Sequence, residues 1–164
     1  MHSTTPKPDA KHFALVDLFP DTIDQWGIYH QAHPLPTYSK GLVALLGDSA
    51  HASQPFLSTG AGIGYEDAAI CAELLHTVVT KQLKSTARQT AIKAALKIYS
   101  DVRMQRSQYM VRSSSKAGEM LMGRRPTFKE SVEEYSWRNH EVWDFDIAEN
   151  KAIALRRLED EVCS

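Results

Sequence analysis

The residues that could do chemistry crowd into one stretch, Gly41 to Leu75, which reads GLVALLGDSAHASQPFLSTGAGIGYEDAAICAELL. Its first half sets Asp48, Ser49 and His51 close together: a carboxylate, a hydroxyl and an imidazole, the groups that accept, donate and shuttle protons. Its second half places Gly60, Gly62 and Gly64 at the head of a helical pattern. A helix start leaves backbone N–H groups unpaired at the positive end of its dipole, and glycines let a ligand approach them closely. Such a site suits an electron-rich, flat ligand. Taken alone, G-A-G-I-G is also explained as a tight loop-to-helix turn, so the ligand reading rests on the whole string.

Other chemistries fit less well. A serine hydrolase needs its nucleophile on a G-x-S-x-G elbow, and Gly47-Asp-Ser-Ala-His51 ends in histidine where the second glycine belongs. Asp48 and His51 with His30 or His33 form no H-x-x-x-H or comparable array, so no metal is expected. Among the eight glycines no three satisfy G-x-G-x-x-G; Gly60 and Gly62 are followed by Tyr65 at the third position. Asp48 and His51 are the candidate catalytic residues, and for His51 a ligand contact and a hydrogen-bonded structural role stay equally open. Glu66 and Asp67 read as acids of a first helical turn rather than as catalysts. Nothing singles out Tyr109 or Tyr135 as a general acid.

The elements that must position these groups follow from the patterning. Phe13 to Phe19 is a β-tolerant apolar run closed by Pro20-Asp21, and Trp26 to His30 is a second strand candidate. His33-Pro-Leu-Pro36 blocks regular structure. Gly41 to Leu46 is continuously apolar and predicts a strand covered on both faces. Beyond Gly60 the period becomes helical: one helix from about Ala61 to Leu83, a second from about Thr90 to Ser115 interrupted by Gly118 and Gly123-Arg-Arg-Pro126, and two more over Phe128 to Asn139 and Ile147 to Leu158. Trp137, Trp143 and Phe145 are of the type that lines an apolar substrate pocket, but the favoured expectation is that they pack the terminal helices; Arg124-Arg125 and Arg156-Arg157 are expected to lie on solvated faces. The fold class expected is α+β, with a few N-terminal strands, one buried strand with a long packed helix, and a mainly helical C-terminal half. Residues 1–12 read as a flexible arm and 13–164 as a single domain.

Composition narrows the setting. In 164 residues, 19 Lys and Arg balance 20 Asp and Glu, leaving a net charge of −1 and no field to draw nucleic acid or an anionic membrane. Two cysteines, Cys71 and Cys163, make no disulfide framework or C-x-x-C site, which points to a reducing compartment. No signal-peptide pattern or membrane-length apolar run is present, and the expectation is a cytoplasmic protein.

The combination Leu45-Leu-Gly-Asp-Ser-Ala-His51, Pro55, Gly60-Ala-Gly62 and Glu66-Asp-Ala68 resembles the second flavin-binding motif of the FAD-dependent aromatic hydroxylases. Within those class A flavoprotein monooxygenases it is similar to the salicylate-hydroxylase-like branch, as are Leu35-Pro-Thr-Tyr-Ser-Lys-Gly41, Tyr99-x-x-x-Arg103 and Trp143-x-x-Asp146. The resemblance implies that Asp48 accepts hydrogen bonds from the ribityl hydroxyls of FAD, that Pro55 lines the isoalloxazine ring, and that Gly60, Ala61 and Gly62 offer backbone N–H groups to its pyrimidine edge. It also implies NAD(P)H as electron donor, through a partner domain, and a small aromatic or polyketide-like substrate of secondary metabolism. Two departures stand out. Phe56-Leu-Ser-Thr59 replaces the small, glycine-containing stretch expected there, and is expected to narrow the place where the ring or substrate enters. The dinucleotide fingerprint and an Asp-Gly motif are missing, so the chain resembles the C-terminal part of such an enzyme without its N-terminal Rossmann unit.

Three readings follow. The chain is a truncated or split FAD monooxygenase that hydroxylates its substrate when an N-terminal-domain partner complements it. Alternatively, it is a cofactor-free isomerase, cyclase or dehydratase using the vacated pocket with Asp48, His51 and Tyr65. The last is a noncatalytic remnant acting through association, as a homo-oligomer or with a full-length relative.

Overall fold

The computed structural model describes residues 14, 16–20, 22–81, 83–122, 124 and 128–162, with the backbone alone for 128–131. Two strands, β1 (Ser39–Lys40) and β2 (Val43–Ala44), form an antiparallel hairpin pairing Ser39 with Ala44 and Lys40 with Val43. Gly41 turns it at a φ of 63°, a left-handed conformation that suits glycine. Five helices follow: α1 (Asp48–His51), α2 (Gly60–Thr80), α3 (Ser85–Leu121), α4 (Phe128–Trp143) and α5 (Ile147–Val162), with a 3-10 turn at Pro55–Leu57 between α1 and α2.

Helical spacing makes the core. On α2, Ile63, Asp67, Ile70, Cys71, Leu74 and Val78 recur at intervals of three and four and are all buried, so one carboxylate shares the apolar stripe. On α3 the buried stripe mixes Leu96, Ile98, Tyr99 and Met110 with small Ala91, Ala95, Ser100 and Ser107, which bring neighbouring backbones close. Ala154 and Leu158 of α5 close this first cluster over α2 and α3. A second cluster, Leu57, Ile63, Met110, Ala117, Met120 and Val142, joins the 3-10 turn and α4 to the far half of α3. At about 1.5 Å per residue, α3 runs roughly 55 Å and serves both.

Several expectations are corrected. The fold is predominantly helical, with a two-stranded hairpin as its sheet among the described residues. Gly41 to Leu46 is not a strand covered on both faces: Leu42 and Val43 are 52% and 65% exposed, because no third strand or helix covers their outer side and only Ala44 and Leu46 face inward. Trp26 to His30 carries no strand, and within Phe13 to Phe19 the described residues form a helical turn, since neither run has a strand to pair with. The 1–12 arm and Cys163 lie outside the described residues. α3 starts five residues earlier than expected and passes through Gly118, whose open side is filled by Phe56. α4 and α5 each extend four residues further than expected. Glu66 and Asp67 sit in the second turn of α2, beyond reach of its dipole end, because the helix begins at Gly60. Trp137 and Trp143 do not pack the core; Trp143 is 75% exposed, on the outer side of its helix end.

If this burial governs stability, Leu74→Ala should lower the unfolding free energy by about 3 kcal/mol while exposed Val79→Ala changes it by under about 0.5 kcal/mol. Urea unfolding followed by circular dichroism measures both; equal effects would contradict the α2 stripe.

Candidate functional site

The site is built around a charge pair sealed from water. Asp67 of α2 and Arg103 of α3 are both 0% exposed. Arg103 Nε donates to Asp67 Oδ1 at 2.8 Å and its Nη2 to Glu66 Oε2 at 2.6 Å. The other Asp67 oxygen accepts from His51 Nε2 at 2.5 Å and from the Gly47 amide at 3.0 Å. Glu66 is shared with Arg106, whose Nη2 lies 3.2 Å from Oε1 and whose Nη1 donates to the Glu141 carbonyl at 2.7 Å. The Arg106 guanidinium also stacks 4.0 Å over the Phe145 ring, a cation–π contact. Burial would raise the Asp67 pKa, but hydrogen bonds from His51, Arg103 and Gly47 outweigh it and hold the carboxyl below its ordinary value.

The Tyr99-x-x-x-Arg103 spacing now has a physical meaning. One helical turn apart on the same face of α3, Tyr99 Oη donates to the Leu45 carbonyl at 2.9 Å while Arg103 grips Asp67. Burial pushes the Tyr99 phenol well above its usual range, keeping it a neutral donor. Tyr38 adds a third tether: its amide N–H donates to Ser100 Oγ at 2.8 Å, and its own hydroxyl meets Ser107 Oγ at 2.7 Å. The loop before α1 is thus held by the α3 side chains Tyr99, Ser100, Arg103 and Ser107.

That hold fixes the residues singled out from sequence. Gly47 has φ 56° and ψ −138°, a conformation reserved for glycine, and its Cα is 3.6 Å from where a Cβ on Gly64 would stand. Asp48 follows it, exposed, with no side-chain partner among the described residues, so its carboxylate is free to accept. His51, three residues on, is turned inward onto Asp67 and against the Tyr38 ring. Pro55, Ala61 and Gly62 are exposed and Gly60 is half-buried. Thr59 precedes α2 without capping it, its hydroxyl buried and unpartnered, so the first amides of the helix have no side-chain acceptor. Phe56 and Leu57 do not narrow this face: Leu57 is buried in the second cluster and the Phe56 ring lies on Gly118 of α3.

Ser49 Oγ donates to the Leu46 carbonyl and has no contact with His51, which removes the nucleophile–base pair a hydrolase needs. Among the described residues no three His, Cys, Asp or Glu side chains converge as a metal site. Arg124 and Arg156 are exposed, and Arg157 pairs with Asp101 at 3.1 Å. A separate groove of about 720 Å³ between α3, α4 and α5 is lined by Arg106, Tyr109, His140, Phe145 and Ile153, of which the sequence offers only Phe145 as a pocket-lining aromatic. The Asp67–Arg103–Glu66–Arg106 network was also not anticipated; its signal is an acid at a core position of the α2 stripe and an arginine at a core position of α3.

Comparison with known proteins gives these residues a family setting. The chain is 43% identical over 150 residues to an FAD-dependent monooxygenase of Aspergillus terreus, covering 88% of this chain and 34% of that protein. It is 39% identical over 140 residues to the FAD-dependent monooxygenase pigN of Monascus ruber, covering 82% and 32%. Its fold matches a salicylate hydroxylase substrate complex with a TM-score of 0.61 and 34% identity, over 74% of this chain and 29% of that one. No protein-family model matches. The chain is homologous to part of the FAD-dependent monooxygenases, and spans about a third of the length of the curated relatives it matches.

Removing one partner of the sealed pair should be costly: Asp67→Ala is expected to lower stability by about 3–5 kcal/mol, whereas Lys97→Ala, which breaks an exposed pair with Asp101, should leave it nearly unchanged. Because the folded-state pKa of Asp67 lies below the unfolded value of about 3.9, its contribution is complete above that pH and is lost as pH falls through the lower folded value. The urea midpoint of the wild type should therefore fall between about pH 5 and pH 2.5 more steeply than that of Asp67→Asn; parallel slopes would contradict the assignment.

Proposed function

We propose that the chain is the flavin-edge portion of an FAD-dependent monooxygenase that hydroxylates a small aromatic or polyketide-like molecule of secondary metabolism when the remaining two thirds of the enzyme is supplied. The observation that carries this reading is the uncapped N-terminus of α2, with Gly60 to Gly62 at its head, beside the free Asp48 carboxylate. The residues present fit FAD. Asp48 would accept from the ribityl hydroxyls, Pro55 would line the ring, and the amides of Gly60, Ala61 and Gly62 would meet the pyrimidine edge, where the helix dipole favours negative charge. When bound, flavin supplies the redox chemistry, passing electrons from NAD(P)H to oxygen. The protein's part is orientation: the Asp67–Arg103 pair fixes Gly47 and His51, and so the Asp48 turn, relative to α2.

The remaining portion of the enzyme is the proposed partner. Leu42, Val43 and Leu45 are exposed on a hairpin with free edges, which is surface a dinucleotide-binding sheet would cover. Self-association through the same surface is the second reading these exposed residues favour. No helix among the described residues is long and apolar enough to cross a membrane.

FAD titration followed by fluorescence quenching tests the reading, with the chain alone and with the N-terminal two thirds of the Aspergillus terreus relative added. Bound flavin with its own absorbance band is expected, and Asp48→Ala should weaken binding about tenfold. Absence of bound flavin in both mixtures overturns the proposal, and substrate turnover without flavin would point instead to the cofactor-free reading.

A further inference from the structure

We infer that the packing of Phe56 on Gly118 is the device that positions the ligand-facing turn ahead of α2, making the two a positioning pair for the site. What the turn faces rests on the flavin reading above; how it is held rests on contacts. The 3-10 turn Pro55–Leu57 is tied to α3 and α4 at four points. Ser114 Oγ donates to the Gln54 carbonyl at 2.5 Å, and Tyr135 Oη donates to the Phe56 carbonyl at 3.2 Å. Leu57 is buried among Met110, Ala117, Met120 and Val142. The Phe56 ring lies so close to Gly118 that a Cβ there would overlap its Cδ2 and Cε2 atoms.

Gly118 stands inside α3, where glycine is among the least favourable residues, and its φ is not positive, so the backbone does not require it. The space does. Beyond the turn, Ser58 takes φ 54° and ψ 29°, a left-handed conformation unusual for serine, and leads through Thr59 into Gly60. Any shift of Phe56 therefore reaches Pro55 directly and the α2 amides within four residues. The bulky Phe56-Leu57 pair stands where the family resemblance leads one to expect small residues, and the fold accommodates it by opening a slot in α3. A pocket of about 280 Å³ behind the turn, lined by Ile28, Gln54, Phe56, Gly118 and Met122, leaves room for the ring to be displaced.

The test compares the full chain with Gly118→Ala, Phe56→Ala/Gly118→Ala and Tyr135→Phe. Amide hydrogen exchange across residues 53–62 is read without ligand, and FAD affinity is read by fluorescence, alone and with the partner portion above. Gly118→Ala is expected to speed exchange in this segment about tenfold and weaken FAD binding about tenfold, and the double variant to return both to within about threefold of wild type. Tyr135→Phe, which removes one hydrogen bond and no volume, should change both in the same direction by less. If Gly118→Ala acts only through helix propensity, exchange slows and the thermal midpoint rises, which overturns the inference. Faster exchange with unchanged FAD affinity also overturns it, while leaving the flavin reading intact. Faster exchange with no FAD bound by any variant, wild type included, removes the flavin reading and with it the positioning role, though the packing of the turn stands.

Discussion

Arg103 and Asp67 meet where water does not reach, and everything near the proposed flavin edge is located by that meeting. A lone buried charge would be intolerable, so the pair demands complete satisfaction: Arg103 spends its guanidinium on Asp67, Glu66 and Asn150, and Asp67 spends its oxygens on Arg103, His51 and Gly47. Such a pair adds little net stability compared with apolar packing. What it adds is direction, because hydrogen bonds specify where α1, α2 and α3 stand relative to one another in a way that apolar contacts do not. The turn meets one carboxylate oxygen through Gly47 and His51, and Arg103 meets the other.

This gives His51 a definite part. With its Nε2 committed to a buried carboxylate and its ring against Tyr38, it anchors the turn from within while Asp48 faces outward. Two residues in one short helix thus divide the labour: one holds the backbone, the other offers a free acceptor. Cys71, buried beside the same network with its thiol pKa raised by burial, packs as a small apolar group.

Much of this was legible in the sequence. The four main helices were visible because their residues follow helical spacing, and Asp48, Pro55 and Gly60 to Gly62 stand out as candidates because their combination resembles one family's motif. The hairpin was misread as a buried strand because apolarity reports what a segment would bury given a neighbour, and Leu42 and Val43 have none here. Glu66 and Asp67 were misread as first-turn acids because their charge was weighed and their distance from the helix start was not; six and seven residues past Gly60, they lie beyond the first turn. The charged network escaped notice because its members, at 51, 66, 67, 103 and 106, come together only through the fold. Gly118 read as an interruption, since local propensity carries no record of a phenylalanine sixty-two residues earlier.

The length of α3 has a consequence for how this chain can change over time. Hairpin, turn and every other helix all touch that one rod, so each takes its place from a common axis and not from its neighbour in sequence. The charged network occupies its middle around Arg103, and the Phe56 slot lies about four turns away at Gly118. The two share a scaffold without sharing a core. Substitutions around one leave the packing around the other in place, so the two supports of the proposed flavin edge can change one at a time.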